Sequence, residues 1–188
     1  MKIILCSNNN IKKDIITKWF KEKNIEIELN KVDIENDSIP PQPIGDDIKL
    51  ICLKKINDVK VNYKDFDYII STENFLDILE DKIKYKLCMC VYKYDSNEYL
   101  TKISEGIDLD LNILDNFSNF ILIIKDLKNS YINSKNKYMF CGCEKKLCDL
   151  VNKYYPEIPR NNFIKSLTDN KYDKFHQFSK LLDELFFI

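Results

Sequence analysis

The chain has 188 residues, of which 45% are hydrophobic and 31% are charged, with 29 Lys and Arg against 30 Asp and Glu. This length and composition predict one ordinary soluble domain that folds without disulfides or structural metal. The formal net charge of −1 excludes a general polyanion binder, so no nucleic acid is expected as a partner. A small anionic ligand is still compatible with this charge.

The first ten residues, MKIILCSNNN, become polar too soon for a signal peptide or a membrane span. No later segment reaches the roughly 18 apolar residues that a spanning helix needs. We therefore expect a cytoplasmic protein without membrane contact. Seven cysteines, an odd number without a secretory signal, are expected to be reduced thiols. The single Arg and the abundance of Lys are typical of an AT-rich genome, so lysine is expected where related proteins use arginine.

The chain opens with a pattern of strand, polar turn and helix. Lys2–Cys6 is a short apolar run, and the polar residues Ser7–Asn10 end it. Asn8 to Asn10 can cap the helix that follows. One face of that helix is expected to be buried, since five apolar residues share a 3.6-residue period: Ile11, Ile15, Ile16, Trp19 and Phe20. Alternating apolar and acidic residues over Ile25–Leu29 predict a second strand.

A proline-rich segment separates these elements from the next helix. Asp37–Gly45 holds three of the five prolines, which predicts a rigid loop in place of helix or central strand. A second amphipathic helix is expected from Asp46 or Asp47, with an apolar face made by Ile48, Ile51, Cys52, Ile56 and Val59.

Strands are predicted over Phe66–Thr72 and Tyr85–Tyr92. Leu111–Leu127 fits a helix, although residues 120–124 alone also fit a strand. The remaining expectations are a short strand over 138–141 and helices over 144–154 and 172–187, the last with an apolar side of Tyr172, Phe175, Ser179, Leu182 and Phe186. Strands that alternate with helices predict an α/β domain.

Two sets of polar residues could carry chemistry. The loop of Asn8, Asn9 and Asn10 with Lys13 precedes a helix, where backbone N–H groups and the helix dipole favour an anion. The alternative is a capped turn with a solvated lysine. Acids also lie near the expected strands, and they could hold Mg²⁺ and substrate phosphates or be solvated surface: Glu35, Asp37, Asp65, Asp67, Glu73 and Asp77.

The cysteines and the only histidine give weaker signals. Cys88 and Cys90 lack zinc-site spacing and are expected to pack as small hydrophobes on one strand face. Cys141, Cys143 and Cys148 also lack four-ligand spacing. His176 is expected to be a packing or hydrogen-bonding residue of the last helix.

Three segments, in order, resemble the inosine/xanthosine triphosphatases of the inosine-triphosphatase-like (ITPase/Maf-like) superfamily. KIILCSNNNIKK is similar to the family's opening strand and T-x-N-P-x-K loop, IPPQPIGDD to V-P-x-Q-P-x-G-x-x-E, and FDYIISTENFLD to A-D-x-x-V-G-I-E-x-G-I-D. A looser match joins SLTDNKYDKFHQFSKLLDELF to the family's last helix. Residues 80 to 160 match poorly.

This resemblance implies one domain over residues 1–188, with an ITPase-like fold. That fold has an elongated central mixed β-sheet flanked by helices, and two lobes with a cleft between them. The implied function is hydrolysis of non-canonical purine nucleoside triphosphates such as ITP and XTP. Mg²⁺ or Mn²⁺ is the implied cofactor, and a homodimer is the implied assembly.

The resemblance also implies roles for single residues. Asn8, Asn9, Asn10 and Lys13 fall on the phosphate loop, and Lys54 or Lys55 replaces a helix arginine. Glu73 falls on the catalytic and metal-binding acid, with Asp77 as the acid shortly after it. The family's other metal-associated Glu aligns with Asn36, so Glu35 or Asp37 would have to serve.

Two departures support an alternative function. The family's Arg in L-T-R is Asp169, and Phe75 stands at a family glycine. The alternative is a catalytically impaired ITPase-like domain that acts as a nucleotide-binding or protein-interaction module.

Overall fold

The computed structural model describes residues 1–34, 37–45, 47–78, 83–109, 117–134, 137–158, 163–168 and 172–187. In these ranges the strands are β1 (Lys2–Leu5), β2 (Glu28–Lys31), β3 (Gln42–Pro43), β4 (Tyr68–Ile78), β5 (Ile83–Lys93), β6 (Glu98–Ile103), β7 (Ile107–Asp108) and β8 (Gly142–Cys143). The helices are α1 (Asn10–Glu22), α2 (Ile48–Lys60), α3 (Phe117–Ser134), α4 (Leu147–Tyr154), α5 (Phe163–Ser166) and α6 (Lys174–Phe186).

The central sheet is mixed and has the strand order β2-β1-β4-β5-β6, with β7 paired to β5. β1 runs parallel to both β2 and β4, whereas β4–β5 and β5–β6 are antiparallel. β3 and β8 form a separate two-stranded antiparallel sheet. Helices flank the central sheet, so the α/β class with a mixed central sheet is confirmed.

Alternation along the strands sends successive side chains to opposite faces of the sheet. Ile3 and Leu5 of β1 pack with α1 and α6 on one face, around Trp19 and Phe178. Ile4 and Cys6 pack on the other face against α2, whose five expected apolar residues are all buried. Therefore α1 and α2 cover opposite faces of β1 and β4.

A third core lies at the far end of the long β4–β5 hairpin. β4 and β5 have 11 residues each, about 36 Å at the usual rise of a strand. Beyond the reach of β1, Leu76 and Tyr85 pack against the apolar faces of α3, α4 and α5. The hairpin thus joins two halves of the molecule.

Several expected elements differ in extent. The strand expected from residue 66 is β4, which continues through Glu73 to Ile78 because β5 pairs with it along its whole length. The strand expected over 25–29 is Glu28–Lys31, where pairing with β1 begins. The helix expected from 144 starts at Leu147. In the region 111–127, the sequence pattern fitted a helix, and part of it also fitted a strand. The structure is helical there from Phe117.

Two expectations from the sequence are wrong. Residues 138–141 do not form a strand, because the pairing with β3 falls on Gly142 and Cys143. The last helix buries Leu182 as expected, but the centre of its buried face is rotated from the expected one. Its buried residues are Phe178, Leu181, Leu182 and Leu185, because those positions face α1 and the sheet, and Tyr172, Phe175 and Phe186 pack at the margins.

Within the described ranges, no helix combines the length and apolar character that crossing a bilayer would require.

Candidate anion-binding cleft

A cleft of about 930 Å³ opens beside the middle of β4. Its floor carries Lys55 of α2 and Glu73 of β4. One wall is the proline loop, including Asp37, and the other wall is the segment that leads into β8 and α4. The side chains contributed by that second wall are Lys137, Tyr138 and Lys146.

Glu73 and Lys55 meet on the face of the sheet that α2 covers. Glu73 shares this face with Ile69 and Phe75, both in the α2 core, because alternate residues of a strand point the same way. The Lys55 ammonium donates a hydrogen bond to Glu73 Oε1 and forms an ion pair with it. Their side chains are 14% and 19% exposed, so the pair is largely shielded from water.

Lys12 reaches the same part of β4 from the opposite face. Its side chain is 7% exposed, and its Nζ donates a hydrogen bond to the carbonyl oxygen of Thr72 at 2.6 Å. This position follows from the start of α1: Asn9 Oδ1 accepts hydrogen bonds from the N–H groups of Ile11 and Lys12. The cap sets the rotation of the helix, so Lys12 lies on the buried face and Ile11 is 48% exposed. The expectation that Ile11 is buried is therefore wrong.

The charges of Lys12, Lys55 and Glu73 perturb one another. Burial acts to raise the pKa of Glu73, but the positive charges of Lys12 and Lys55 outweigh burial and hold that pKa below its usual value. Burial lowers the pKa of Lys12 despite the attraction of Glu73. Burial also disfavours the charge of Lys55, yet its contact with Glu73 raises the pKa above the usual value. Lys146 of the second wall adds further positive charge, which acts on both Lys12 and Glu73.

The asparagine loop lies next to this floor but makes other contacts. β1 pairs with β4 up to Leu5 and Ile70, so the loop after β1 lies beside the residues of β4 that lead to Glu73. Asn9 caps α1, and Asn8 and Asn10 accept hydrogen bonds from the ammonium of Lys31. Asn8 also donates to Asp33 at 3.2 Å. Lys13 is half-buried on α1 beside Lys12.

Of the other site residues implied by the family resemblance, one lines the cleft, two form ion pairs, and the rest lie outside the described residues. Asp37 is exposed and lines the cleft. Lys54 forms an ion pair with Asp58 of its own helix at 3.2 Å. Asp77 forms an ion pair with Lys86 of β5 at 2.7 Å. Glu35, Asn36 and Asp169 lie outside the described residues.

A divalent cation held by Glu73, Asp37 and Asp77 does not fit this arrangement. Asp77 lies four residues along β4 from Glu73, about 13 Å at the usual rise of a strand. A Glu73 oxygen already accepts a hydrogen bond from the Lys55 ammonium. In the described part of the chain, no group of three or more His, Cys, Asp or Glu side chains could hold a metal ion.

Analysis of the sequence missed Lys12, Lys146 and Tyr138. Lys12 could have been found from two signals. It shares the 3.6-residue period of Ile15, Ile16 and Trp19, and the T-x-N-P-x-K spacing counted from Ser7 reaches Lys12 whereas counting from Asn8 reaches Lys13. Lys146 and Tyr138 carry no local signal, because a long-range pairing of β3 with β8 brings them to the cleft.

The cysteines and His176 form no metal-binding group among the described residues, although Cys6 contacts the carbonyl oxygen of Lys55. All seven cysteines are free thiols. Cys88 and Cys90 are fully buried in the α2 core, which confirms that they pack as small hydrophobes. His176 is exposed on α6, in a separate groove of about 590 Å³.

Comparisons with known proteins give structural similarity without sequence similarity. No protein-family model and no curated protein sequence matches the chain. The chain is similar in structure to protein VC0702 from Vibrio cholerae, with a TM-score of 0.67 and 16% identity over 98% of this chain and 95% of that one. This similarity shows a shared fold.

A second solved structure is the nucleoside-triphosphatase (dITP/XTP pyrophosphatase) from Mycobacterium abscessus. It aligns with a TM-score of 0.45 and 11% identity, over 57% of this chain and 71% of that one.

Proposed function

We propose that the chain binds a nucleoside triphosphate in this cleft and hydrolyses it, with ITP or XTP as the substrate class. The observation that carries the proposal is the Lys55–Glu73 pair at the floor of the cleft, with buried Lys12 behind it at the Thr72 carbonyl oxygen of β4. Lys12 and Glu73 come from the first and third of the three segments that resemble the inosine/xanthosine triphosphatases, and Ile39 and Pro41 of the second segment line the same cleft. The segments therefore converge on one place, as a shared site requires.

The two ends of the cleft suit the two parts of a nucleotide. Lysines at the floor and at the entrance to α4 favour phosphates, because ammonium groups neutralise charge that develops on phosphoryl oxygens. Half-buried Tyr138 and Ile39, with Pro40 and Pro41, offer an apolar wall for a flat base. Glu73 is ionised at neutral pH because its pKa is low, so it can accept a hydrogen bond from the attacking water.

Mg²⁺ or Mn²⁺ remains a prediction from the resemblance, and both are included in the test. Purified protein is incubated with ITP, XTP, GTP or ATP, and release of phosphate and of pyrophosphate is followed. We expect turnover of ITP or XTP above that of ATP. Glu73→Gln should reduce the rate by about 10²–10³, whereas Glu98→Gln on exposed β6 should leave it unchanged. Equal rates for the wild type and Glu73→Gln would contradict hydrolysis at this site.

A second candidate function is nucleotide binding without turnover. The observation that favours it is the Lys55 ammonium, which occupies the carboxylate that hydrolysis would use. In that case ITP or XTP raises the melting temperature, and no product appears above the Glu73→Gln control. If no nucleotide raises the melting temperature, both candidate functions are wrong.

A further inference from the structure

Among the described residues, the cleft and the side chains behind its floor hold more positive than negative charge. Lys12 and Lys55 share one buried carboxylate, Glu73. The cleft walls add two exposed lysines, Lys137 and Lys146, and one exposed acid, Asp37. Because Lys137 pairs with Glu144, the positive charge left over in the described part of the chain lies mainly with buried Lys12 and exposed Lys146. Buried charge without a counter-ion is costly, so this floor favours an incoming anion.

Lys12 lies behind the floor of the cleft. Its side chain is 7% exposed and is not among the residues that line the cleft. Among the described residues, the Thr72 carbonyl oxygen is the acceptor that Lys12 Nζ contacts. The positive charge of Lys12 still acts on Glu73, so it adds to the positive potential that an anion meets at the floor.

The position that a divalent cation would take beside Glu73 is occupied by a cation of the chain itself. The Lys55 ammonium is bonded to the Glu73 carboxylate, and a metal ion there would have to displace it. The metal ion would also be repelled by Lys12, whose charge already acts on Glu73. The two ammonium groups therefore compete with a metal for the same carboxylate.

We infer that the cleft binds a polyphosphate as the metal-free anion, with Lys12 and Lys55 supplying the positive charge that the family resemblance assigns to a divalent cation. This inference rests on the proposed binding of a triphosphate and concerns which groups neutralise the negative charge of the phosphates. Glu73 then weakens the binding of the anion, because its carboxylate holds Lys55 away from the phosphate and also repels the phosphate. A metal-ligating Glu73 would have the opposite effect.

The test measures the affinity of inorganic tripolyphosphate by calorimetry, in EDTA and in excess MgCl₂ at equal ionic strength. We expect a Kd in EDTA that is no more than threefold weaker than in Mg²⁺. Lys12→Met and Lys55→Met should each weaken binding in EDTA by tenfold or more, and circular dichroism should show that both are folded. Lys49→Met, an exposed position of α2, is the matched control and should stay within twofold of the wild type.

Glu73→Gln gives the sharpest contrast. We expect it to tighten tripolyphosphate binding by at least threefold, because Lys55 becomes free to bind the anion. Weaker binding by Glu73→Gln in Mg²⁺, or a Kd in EDTA more than threefold weaker than in Mg²⁺, would overturn the inference.

The nucleotide assay separates this outcome from the proposed function. Tripolyphosphate that binds in EDTA, combined with no turnover of any nucleotide, supports the inference and contradicts hydrolysis. Turnover of ITP or XTP, combined with binding of tripolyphosphate only in Mg²⁺, supports hydrolysis and overturns the inference.

Discussion

Lys12 places an ammonium group where water scarcely reaches it. The side chain is 7% exposed and donates a hydrogen bond to the backbone carbonyl of Thr72, behind the floor of the cleft. Its pKa is lowered first by burial, which means that the charged form is less favourable in the folded protein than in the unfolded chain. A neutral side chain of similar length would avoid that cost.

Lys12→Met should therefore stabilise the protein. We expect a gain of about 1 kcal/mol in the free energy of unfolding at pH 7, or roughly 2–4 °C in Tm for a chain of this size. Differential scanning fluorimetry measures the shift, with Lys49→Met as the control of equal charge change. A Tm below that of the wild type would show that the ammonium stabilises the fold.

Glu73 should stabilise the folded protein in a pH-dependent way. Its folded pKa lies below the ordinary value of 4.5, so its contribution is present above pH 4.5 and is lost as the pH falls through the lowered pKa. Glu73→Gln leaves Lys12 and Lys55 uncompensated and should cost about 2 kcal/mol at pH 7.

Urea unfolding from pH 7 downward checks this expectation. The difference between wild type and Glu73→Gln should shrink below pH 4.5, while Glu98→Gln should follow the wild type throughout. A difference that stays constant with pH would mean that the Glu73 charge is not the cause.

At the residue scale, the sequence predicted chemical types better than exact positions. Glu73, Lys55 and Asp37 were predicted and line the cleft. The phosphate loop was predicted with Lys13, whereas the buried lysine that contacts β4 is Lys12. Polar residues usually face water, and a buried lysine is an exception to this tendency. Hydrophobic periodicity alone therefore does not identify it.

At the scale of elements, the small β3–β8 sheet forms one side of the cleft. It pairs Pro43 with Gly142 and Gln42 with Cys143. Gly142 allows the two backbones to approach closely, since a Cβ there would lie 2.6 Å from the carbonyl oxygen of Gln42 and would also clash with the Pro40 ring. This contact fixes the proline loop against the segment that carries Tyr138 and Lys146.

Gly142→Ala should therefore loosen this side of the cleft. We expect a loss of about 1–3 kcal/mol in the free energy of unfolding, the usual cost of overpacking, and weaker binding of tripolyphosphate. Cys141→Ala, at the exposed neighbouring position, should change stability by less than about 0.5 kcal/mol. Urea unfolding and calorimetry measure the two effects, and a fully stable Gly142→Ala would contradict the expected clash.

Elements with strong periodicity could be predicted from the sequence. The apolar face of α2 was correct at every residue, and α1 and β5 were close to their observed extents. β3 and β8 could not be predicted, because each has two residues and their pairing joins positions about 100 residues apart. β6 is half exposed without clear alternation, so its position also lacked a local signal.

At the scale of the whole molecule, the β4–β5 hairpin belongs to more than one core. Ile70 lies in the core with Trp19, while Leu76 lies in the core with Leu150 of α4. The sequence predicted one domain, and a homodimer and a cytoplasmic location follow from the same analysis as untested predictions. A shared hairpin leads us to expect that both halves unfold together.

Leu150→Ala tests this cooperativity. Leu150 is 2% exposed, so its truncation should cost about 3 kcal/mol. Trp19, the only tryptophan, reports on the opposite half by fluorescence, while circular dichroism reports on the whole chain. We expect one transition, with both midpoints lowered equally. A Trp19 midpoint that stays at the wild-type value while the dichroism midpoint falls would indicate two independently unfolding units.

The position of Glu73 has a consequence for how the cleft can move. It lies at the centre of an antiparallel pair that is in register over 11 residues, so its amide proton should be among the last in the protein to exchange with deuterated solvent. The walls, held by the two-residue strands β3 and β8, should exchange early. Binding of an anion should then slow amide hydrogen exchange in the walls by a factor of about ten or more. Exchange along β4 should barely change.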